Sequence, residues 1–231
     1  MIRLEVLYPE YMNLYGDTGN IKYLKECIPN LEIIYTSINQ KPAFMRKKID
    51  ILYLGPSTES KQEEIIKKLL NYKEKLKELI DDNTIIIATG NSVEFFGKYI
   101  EKIDKKRIKC LGFYNVYSKR IENYRYNENC LGKFGDITVV GFKNQMSHMY
   151  GKDKHKFLYM EIGTGRNIDV KEEGLMENNF FGTYLLGPIL PLNPYFTEYL
   201  LKQLNQKKIE LPYFEDCLKA YEKRIEEFKN N

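Results

Sequence analysis

The chain lacks any long hydrophobic run. Nowhere in its 231 residues do about 18 apolar residues stand together, which is the length that a membrane-spanning helix needs. The opening residues, MIRLEVLYPEY, contain no basic stretch followed by an apolar core, so they do not resemble a secretory leader. We therefore expect a cytoplasmic protein without a membrane partner.

Cysteine and histidine are scarce. The four cysteines (Cys27, Cys110, Cys130 and Cys217) stand apart, without the spacing of a zinc site or a disulfide framework. We therefore expect no metal ion and no cofactor, and Cys110 is predicted to be a small buried hydrophobe. The two histidines, His148 and His155, lie in one polar segment, SHMYGKDKHK, which favours a surface or hydrogen-bonding role over catalysis.

The chain also lacks a strong charge of one sign. Its 36 basic and 32 acidic side chains leave a net charge of +4, spread along predicted helices. The basic runs at 45–48 and 105–107 are short and lie next to acidic segments. Nucleic-acid binding requires a clustered basic face with aromatic platforms, so we expect no nucleic-acid partner.

The first half of the chain alternates between apolar strands and helical patterns. Strands are predicted at 2–8, 31–38, 49–54 and 84–88, and helices at 21–27 and 63–80. This alternation indicates an α/β fold with an open, mostly parallel sheet flanked by helices.

The second half has a different pattern. Strands at 112–125, 136–142, 157–162 and 180–185 suggest an antiparallel, hairpin-rich section, and helices follow at 194–204 and 213–228. No Pro-, Gly- or Ser-rich linker divides the chain. We predict one domain over 1–210 and a C-terminal helix within 211–231 that packs on it or on a partner.

The run TIIIATGNSVEFFG has the shape of a nucleophile elbow without its nucleophile. A buried strand leads into a tight turn and then a helix predicted to begin at Ser92 or Val93. Enzymes mount a nucleophile on such a turn with small residues two positions to either side. Ala88 and Ser92 are those small neighbours, and Gly90 stands between them. A glycine here can adopt a positive φ without the strain that a nucleophile accepts.

Three predicted loops leave the carboxyl ends of parallel strands, where ligands bind in such sheets. They are the loop at 55–59, the elbow, and the loop at 186–188. Thiol chemistry would need a cysteine at the elbow and a histidine within reach, and these loops contain neither.

Four segments carry a family resemblance over about residues 7–194. They are LYPEYMNLYGDTGNIKYL, IIIATGNSVEFFG, VVGFKNQMSHMYG and GTYLLGPILPLNP, in that order. Together they resemble class I glutamine amidotransferases of the cobyric acid synthase type. The similarity is greatest to the small glutaminase subunit of lipid II isoglutaminyl synthase, which pairs with a Mur-ligase-like subunit. The resemblance implies a flavodoxin-like fold.

The resemblance also locates what is missing. The family's catalytic cysteine falls on Gly90, and the histidine of its G-T-Y-L-H-G-P motif falls on Leu186. Its glycine-rich oxyanion loop is here Gly55-Pro56-Ser57-Thr58-Glu59, in which Pro56 has no N–H to donate. Its G-F-E-N-H motif ends here in Gln145.

Some binding residues have counterparts in this chain. An arginine that helps to bind glutamine in the small subunit corresponds to Arg125. The predicted ligand-binding residues are Gly55, Thr58, Asn91, Arg125 and Asn144. Tyr11, Tyr15 and Tyr184 are interpreted as core or loop-anchoring aromatics. Ser92 is the best substitute nucleophile, but the matching loops offer it no histidine base.

Three functions follow from this pattern. The favoured one is a degenerate, non-catalytic glutamine amidotransferase-like subunit that binds or scaffolds a Mur-ligase-like or other ATP-dependent, amide-forming synthetase. The alternatives are a sensor of glutamine or a related amino acid and an active amidotransferase with relocated catalytic residues. The resemblance implies amidation in peptidoglycan or cobalamin synthesis.

Overall fold

The fold is built around a six-stranded main sheet. The computed structural model describes residues 1–204 and 211–229. The strands of the main sheet are β1 (Arg3–Leu7), β2 (Glu32–Thr36), β3 (Ile51–Leu54), β4 (Ile85–Thr89), β13 (Leu175–Glu177) and β14 (Phe180–Thr183). They lie in the order β13-β14-β4-β3-β1-β2, and every neighbouring pair is parallel except the antiparallel pair of β13 and β14. Strands β3 and β4 are buried along their full length because helices cover the sheet. The predicted open, mostly parallel sheet is confirmed.

The helices in the first half are α1 (Thr18–Cys27), α2 (Glu59–Leu70) and α3 (Lys73–Asp81). The single helix predicted at 63–80 is wrong, because the chain breaks between α2 and α3. At the break, Tyr72 packs edge-on against Phe44 with ring centroids 5.9 Å apart. A tertiary contact therefore divides a segment whose local pattern favours one helix.

The second half contains two antiparallel-rich sheets, as predicted. The small sheet has the order β10-β7-β5-β6 and the hairpin sheet the order β12-β11-β8-β9. The small sheet consists of β5 (Tyr99–Glu101), β6 (Arg107–Lys109), β7 (Tyr117–Arg120) and β10 (Ser147–Tyr150). The hairpin sheet consists of β8 (Tyr126–Phe134), β9 (Ile137–Gln145), β11 (Leu158–Ile162) and β12 (Glu172–Glu173).

The strand predictions in this half need correction, and β5, β6 and β10 were not predicted. The strand expected at 112–125 is limited to β7, since the N–H groups of residues 111–114 bond to carbonyls of residues 95–97 instead of a neighbouring strand. The long strand β8 was missed because its sequence, YNENCLGKF, is polar at one end and contains a glycine. It pairs with β9 over nine residues on each strand.

The C-terminal part contains α4 (Ile189–Leu192), α5 (Pro194–Lys202) and α6 (Phe214–Lys229). Helix α6 packs on the hairpin sheet through Tyr221, which is buried with Leu131 and Val140. The Tyr221 hydroxyl also donates to the Thr138 carbonyl at 3.0 Å. The predicted domain boundary at 210 lies outside the described residues. No helix in the described ranges is long and apolar enough to cross a membrane.

Candidate functional site

The elbow lies at the carboxyl end of β4. Thr89 ends the strand, and Gly90 adopts a left-handed conformation with φ +58°. The helix predicted from Ser92 or Val93 is instead a single 3₁₀ segment, Gly90–Phe96. It ends early because the carbonyls of Phe95 and Phe96 accept hydrogen bonds from the segment at 111–114. The turn geometry suits a nucleophile mount, and glycine occupies it without side-chain strain.

Carbon atoms fill the space beside Gly90. A Cβ at this position would lie 2.7 Å from Pro56 Cβ and 3.0 Å from Leu186 Cδ2. Pro56 follows β3 and Leu186 follows β14, and these strands flank β4 in the main sheet. The three loops, which the sequence placed at the carboxyl ends of parallel strands, therefore converge. Leu186 is 1% exposed, so Gly90 and Leu186, where the resemblance places a cysteine and a histidine, form an apolar, closed contact.

The loop after β3 is held by the elbow rather than open to a ligand. Asn91 donates from Nδ2 to the Ser57 carbonyl at 2.7 Å and accepts from the Ser57 N–H at 3.0 Å. Gly55 is enclosed, because a Cβ there would lie 2.3 Å from the Met12 carbonyl oxygen. Thr58 precedes α2, and its hydroxyl is 3.0 Å from that of Ser60. Gly55, Thr58 and Asn91 thus make contacts within the protein.

Ser92 is committed to structural hydrogen bonds. Its side chain is fully buried, and its hydroxyl lies 3.0 Å from the Leu54 carbonyl oxygen and 2.8 Å from that of Thr89. A hydroxyl has one proton to donate, and these two carbonyls share it. An activated serine instead donates to a base. This geometry fits a residue that holds the turn together.

Glu94, in the 3₁₀ segment that follows the elbow turn, is the centre of a buried hydrogen-bond network. Glu94 accepts from Tyr184 Oη at 2.9 Å and from Gln62 Nε2 at 3.0 Å. It also accepts from the Ser147 hydroxyl. Burial raises the pKa of Glu94 above its usual range, and the three donors partly offset this effect. Tyr184 is therefore a core aromatic with a polar partner.

A second buried carboxylate, Asp17, joins the main sheet to α1. It accepts hydrogen bonds from Tyr53 Oη at 2.6 Å, Thr89 Oγ1 at 2.9 Å and Asn20 Nδ2 at 3.1 Å. Burial raises the pKa of Asp17 to about 6 despite these donors. Sequence analysis missed this cluster, although Asp17 and Asn20 stand together in the motif DTGN and Thr89 directly precedes the elbow.

Arg125 and Asn144 lie together on the surface. The Arg125 guanidinium donates from Nη1 to Tyr15 Oη at 2.8 Å and to Asn144 Oδ1. Tyr15 Oη in turn donates to Asn144 Oδ1 at 3.1 Å. The ion pairs found within residues 1–204 and 211–229 do not include Arg125. We call Tyr15, Arg125 and Asn144 the arginine cluster, and its chemistry suits a carboxylate.

The predicted surface or hydrogen-bonding role of His148 is wrong, because the side chain is buried and its Nε2 has no hydrogen-bond partner among the described residues. His148 is 3% exposed, and its ring packs against Tyr126 with centroids 4.3 Å apart. Burial and the nearby Lys143 lower the pKa of His148. His155 fits the hydrogen-bonding role, with Nδ1 placed 2.7 Å from Asp153 Oδ1. Cys110 is buried, as predicted.

Comparison with known proteins shows the family. Residues 3–194 match the CobB/CobQ-like glutamine amidotransferase domain. The chain belongs to this family. It is 30% identical over 199 residues to the lipid II isoglutaminyl synthase (glutamine-hydrolyzing) subunit GatD of Staphylococcus aureus, covering 85% of this chain and 82% of that protein. It is 30% identical over 226 residues to the GatD subunit of Streptococcus pneumoniae, covering 92% of this chain and 85% of that protein.

Solved structures agree on the fold. PurLQS from Thermotoga maritima superposes with a TM-score of 0.55 at 11% identity, covering 88% of this chain and 99% of that chain. A glutamine amidotransferase from Thermotoga maritima gives a TM-score of 0.52 at 10% identity, covering 96% of this chain and 92% of that chain. At these identities the likeness concerns the fold, so the predicted glutamine amidotransferase-like architecture is confirmed.

Proposed function

We propose that this protein is a non-catalytic member of its family that binds or scaffolds a Mur-ligase-like, amide-forming synthetase. The observation that carries this proposal is the filled position at Gly90. A nucleophilic thiol needs space and a base. Here Pro56 and Leu186 take up the space, and Leu186 stands where the resemblance places the base.

The relatives supply the pathway in this proposal, and the sequence resemblance supplies the Mur-ligase-like partner. Both relatives are named as subunits of a glutamine-hydrolyzing lipid II isoglutaminyl synthase. A subunit that retains the family fold retains a means of docking even when the reaction is lost. The relatives favour peptidoglycan amidation over cobalamin synthesis. The four unpaired cysteines suit a cytoplasmic protein.

Co-expression with a Mur-ligase-like protein from the same genome tests the proposal. We expect the two proteins to elute together in size-exclusion chromatography, and we expect no ammonia release from glutamine by this chain, alone or in the complex. Failure to form a complex would overturn the scaffold role. Glutaminase activity that persists in repeatedly purified protein would overturn the non-catalytic one.

Reconstruction of the site tests the family alignment separately. The double variant Gly90→Cys with Leu186→His restores the pair but leaves Pro56 Cβ against the new side chain. We expect a triple variant that adds Pro56→Gly to react faster with iodoacetamide than the double variant and than the exposed-site control Gly112→Cys. A triple-variant thiol no more reactive than the control would show that Gly90 is not the nucleophile position.

A second candidate function rests on the arginine cluster. Arg125 is exposed, has neutral hydrogen-bond partners and can receive the carboxylate of glutamine or a related amino acid. Calorimetry with an amino-acid panel tests this sensor role, with Arg125→Ala as the matched variant. Binding that is lost in Arg125→Ala supports it, and no binding up to millimolar concentration ends it. Catalysis by Ser92 is disfavoured, since its hydroxyl proton is shared by two carbonyls.

A further inference from the structure

The outer face of the small sheet carries a row of stacked tyrosines. Tyr150 pairs with Tyr117 across β10 and β7, and Tyr99 on β5 stands beside Tyr117. The rings of Tyr99 and Tyr117 are 4.9 Å apart and nearly parallel, and those of Tyr117 and Tyr150 are 6.0 Å apart. All three side chains are partly exposed. The alternate residues Ile100, Ser118 and Met149 are buried on the inner face.

Cations lie between and beside these rings. The Arg107 guanidinium is 4.3 Å from the centroid of Tyr99. Lys119 Nζ is 5.6 Å from the centroid of Tyr117 and 5.5 Å from that of Tyr150. Lys109 pairs with Tyr99 across β6 and β5, and its side chain is exposed. We call these six residues the tyrosine face: Tyr99, Arg107, Lys109, Tyr117, Lys119 and Tyr150.

The charge of this surface is positive. Within residues 1–204 and 211–229, the ion pairs of its three cations are limited to that of Arg107 with Glu101, at 3.3 Å, and the Glu101 side chain is 11% exposed. The whole chain has a net charge of only +4 over 231 residues. A cluster of three cations on two short strands is therefore a local feature that composition does not reveal. Its complement is an acidic surface.

The arrangement of the rings favours a protein over a single-stranded nucleic acid as the acidic partner. Single-stranded nucleic acids bind through bases stacked on free aromatic faces. Here the ring faces are occupied by neighbouring rings and by Arg107 and Lys119. The outward groups are ring edges, hydroxyls and cations. Tyrosine and arginine in this arrangement are typical anchors of protein–protein interfaces.

The tyrosine face continues toward the arginine cluster. From Tyr150 the aromatic contacts pass to His148 at 6.2 Å, then to Tyr126 at 4.3 Å and to Tyr124 at 4.6 Å. Arg125 lies between these last two residues in the chain. A protein bound on the tyrosine face would therefore lie beside the arginine cluster.

We propose that the tyrosine face docks an acidic surface of a partner protein. That the partner is the amide-forming synthetase rests on the proposed function. Docking here would use the tyrosine edges for contact area and Arg107, Lys109 and Lys119 for attraction to carboxylates. Attraction of this kind weakens as salt rises.

Charge reversal tests the face in the complex. The variant Arg107→Glu with Lys119→Glu is compared with Lys25→Glu and Lys67→Glu together, which reverse two exposed helical cations elsewhere. Surface plasmon resonance against the synthetase should show at least about tenfold weaker binding for the first variant and an unchanged Kd for the control. Equal Kd values for the two variants overturn the proposal. Lys119→Ala, a milder change, should weaken binding about threefold and serves if the double variant fails to fold.

A peptide probe separates this proposal from the proposed function. Fluorescence anisotropy with labelled poly-L-glutamate of about 20 residues should show binding at about 50 mM salt, lost at about 300 mM salt and in the charge-reversal variant. If the synthetase binds neither native nor variant protein, the assignment of the partner fails. The peptide experiment still tests whether the tyrosine face binds an acidic surface. Peptide binding that is absent or unchanged by charge reversal overturns the acidic docking surface. Tighter binding of oligothymidine than of the peptide, lost on charge reversal, overturns it in favour of nucleic acid.

Discussion

The elbow and the arginine cluster belong to the same predicted site but differ in how they are filled. At Gly90 the neighbouring side chains are apolar, and the loops close on one another until Pro56 and Leu186 leave no room for a Cβ. At Arg125 the neighbouring side chains are polar, and Tyr15 and Asn144 hold the guanidinium at the surface. Apolar side chains pack together because removing their surface from water is favourable. A charged group stays exposed because removing it from water is costly. The chemistry of the neighbours therefore decides which half of the site closes.

The largest expected effect is that of Gly90→Cys on stability. A side chain there meets both a positive φ and overlap with Pro56 and Leu186. We expect a loss of about 2–5 kcal/mol in the free energy of unfolding, from backbone strain and overpacking together. Gly112→Cys is the matched control, because Gly112 has φ +70° and nothing within 4 Å of its Cβ position. Urea unfolding that gives equal losses for both variants would contradict the closed elbow.

The second effect is a pH dependence centred on Asp17. The folded chain holds the Asp17 proton with a pKa of about 6, against 3.8 as the ordinary value. Unfolding between these values releases a proton, so stability falls as pH rises through this window and is constant above it. We expect native protein to lose about 3 kcal/mol more than Asp17→Asn between pH 3.5 and pH 7. Thr89→Val removes a donor to the carboxylate and should extend the window to higher pH. Parallel pH profiles of native protein and Asp17→Asn would contradict the buried carboxylate.

A smaller effect is expected for Ser92→Ala. The variant removes a hydroxyl that bonds to the carbonyls of Leu54 and Thr89. The free energy of unfolding should fall by about 1–2 kcal/mol, because two buried carbonyls lose a donor. Any ammonia release measured in the preparation should be unchanged. A loss of such activity with full retention of stability would indicate that Ser92 is a nucleophile. The elbow would then not be a closed, inactive half of the site.

The smallest effect on stability is expected for Arg125→Ala. Its side chain is exposed, so we expect a change within about 0.5 kcal/mol in the free energy of unfolding. Thermal and urea unfolding measure it, and Arg125→Lys retains the charge for comparison. A loss above about 2 kcal/mol in the free energy of unfolding would mean that the arginine cluster stabilises the fold, as the elbow contacts do.

The sequence predicted the main sheet well because β3 and β4 are short apolar runs that tertiary structure does not contradict. It also placed Gly90, Pro56 and Leu186 in loops at the carboxyl ends of parallel strands, which lie at the same edge of a sheet. It could not predict that Pro56 and Leu186 fill the space at Gly90, because that depends on loop conformation. The Asp17 network was missed because it joins residues that are far apart in the chain, and Asp17 and Thr89 are separated by 72 positions.

The second half was predicted less accurately. Strand β8 has little alternation, and its pairing with β9 rather than its own pattern makes it a strand. The tyrosine face was also beyond sequence analysis, because Tyr99, Tyr117 and Tyr150 come from three strands and meet through sheet register. The composition suggested that positive and negative charges are evenly mixed over the surface. The strand register of the small sheet instead places three cations together on the tyrosine face.

The contact of Gly90 with Pro56 and Leu186 has a consequence for how this sequence can change. A cysteine at position 90 meets two side chains that must yield before it fits, so the order of substitutions matters. Pro56 and Leu186 would have to become smaller first, and each of those changes alone removes a buried contact and gains no activity. The closed elbow therefore hinders the introduction of a thiol at position 90. Such a change takes three substitutions, and the first of them carries a cost whichever it is.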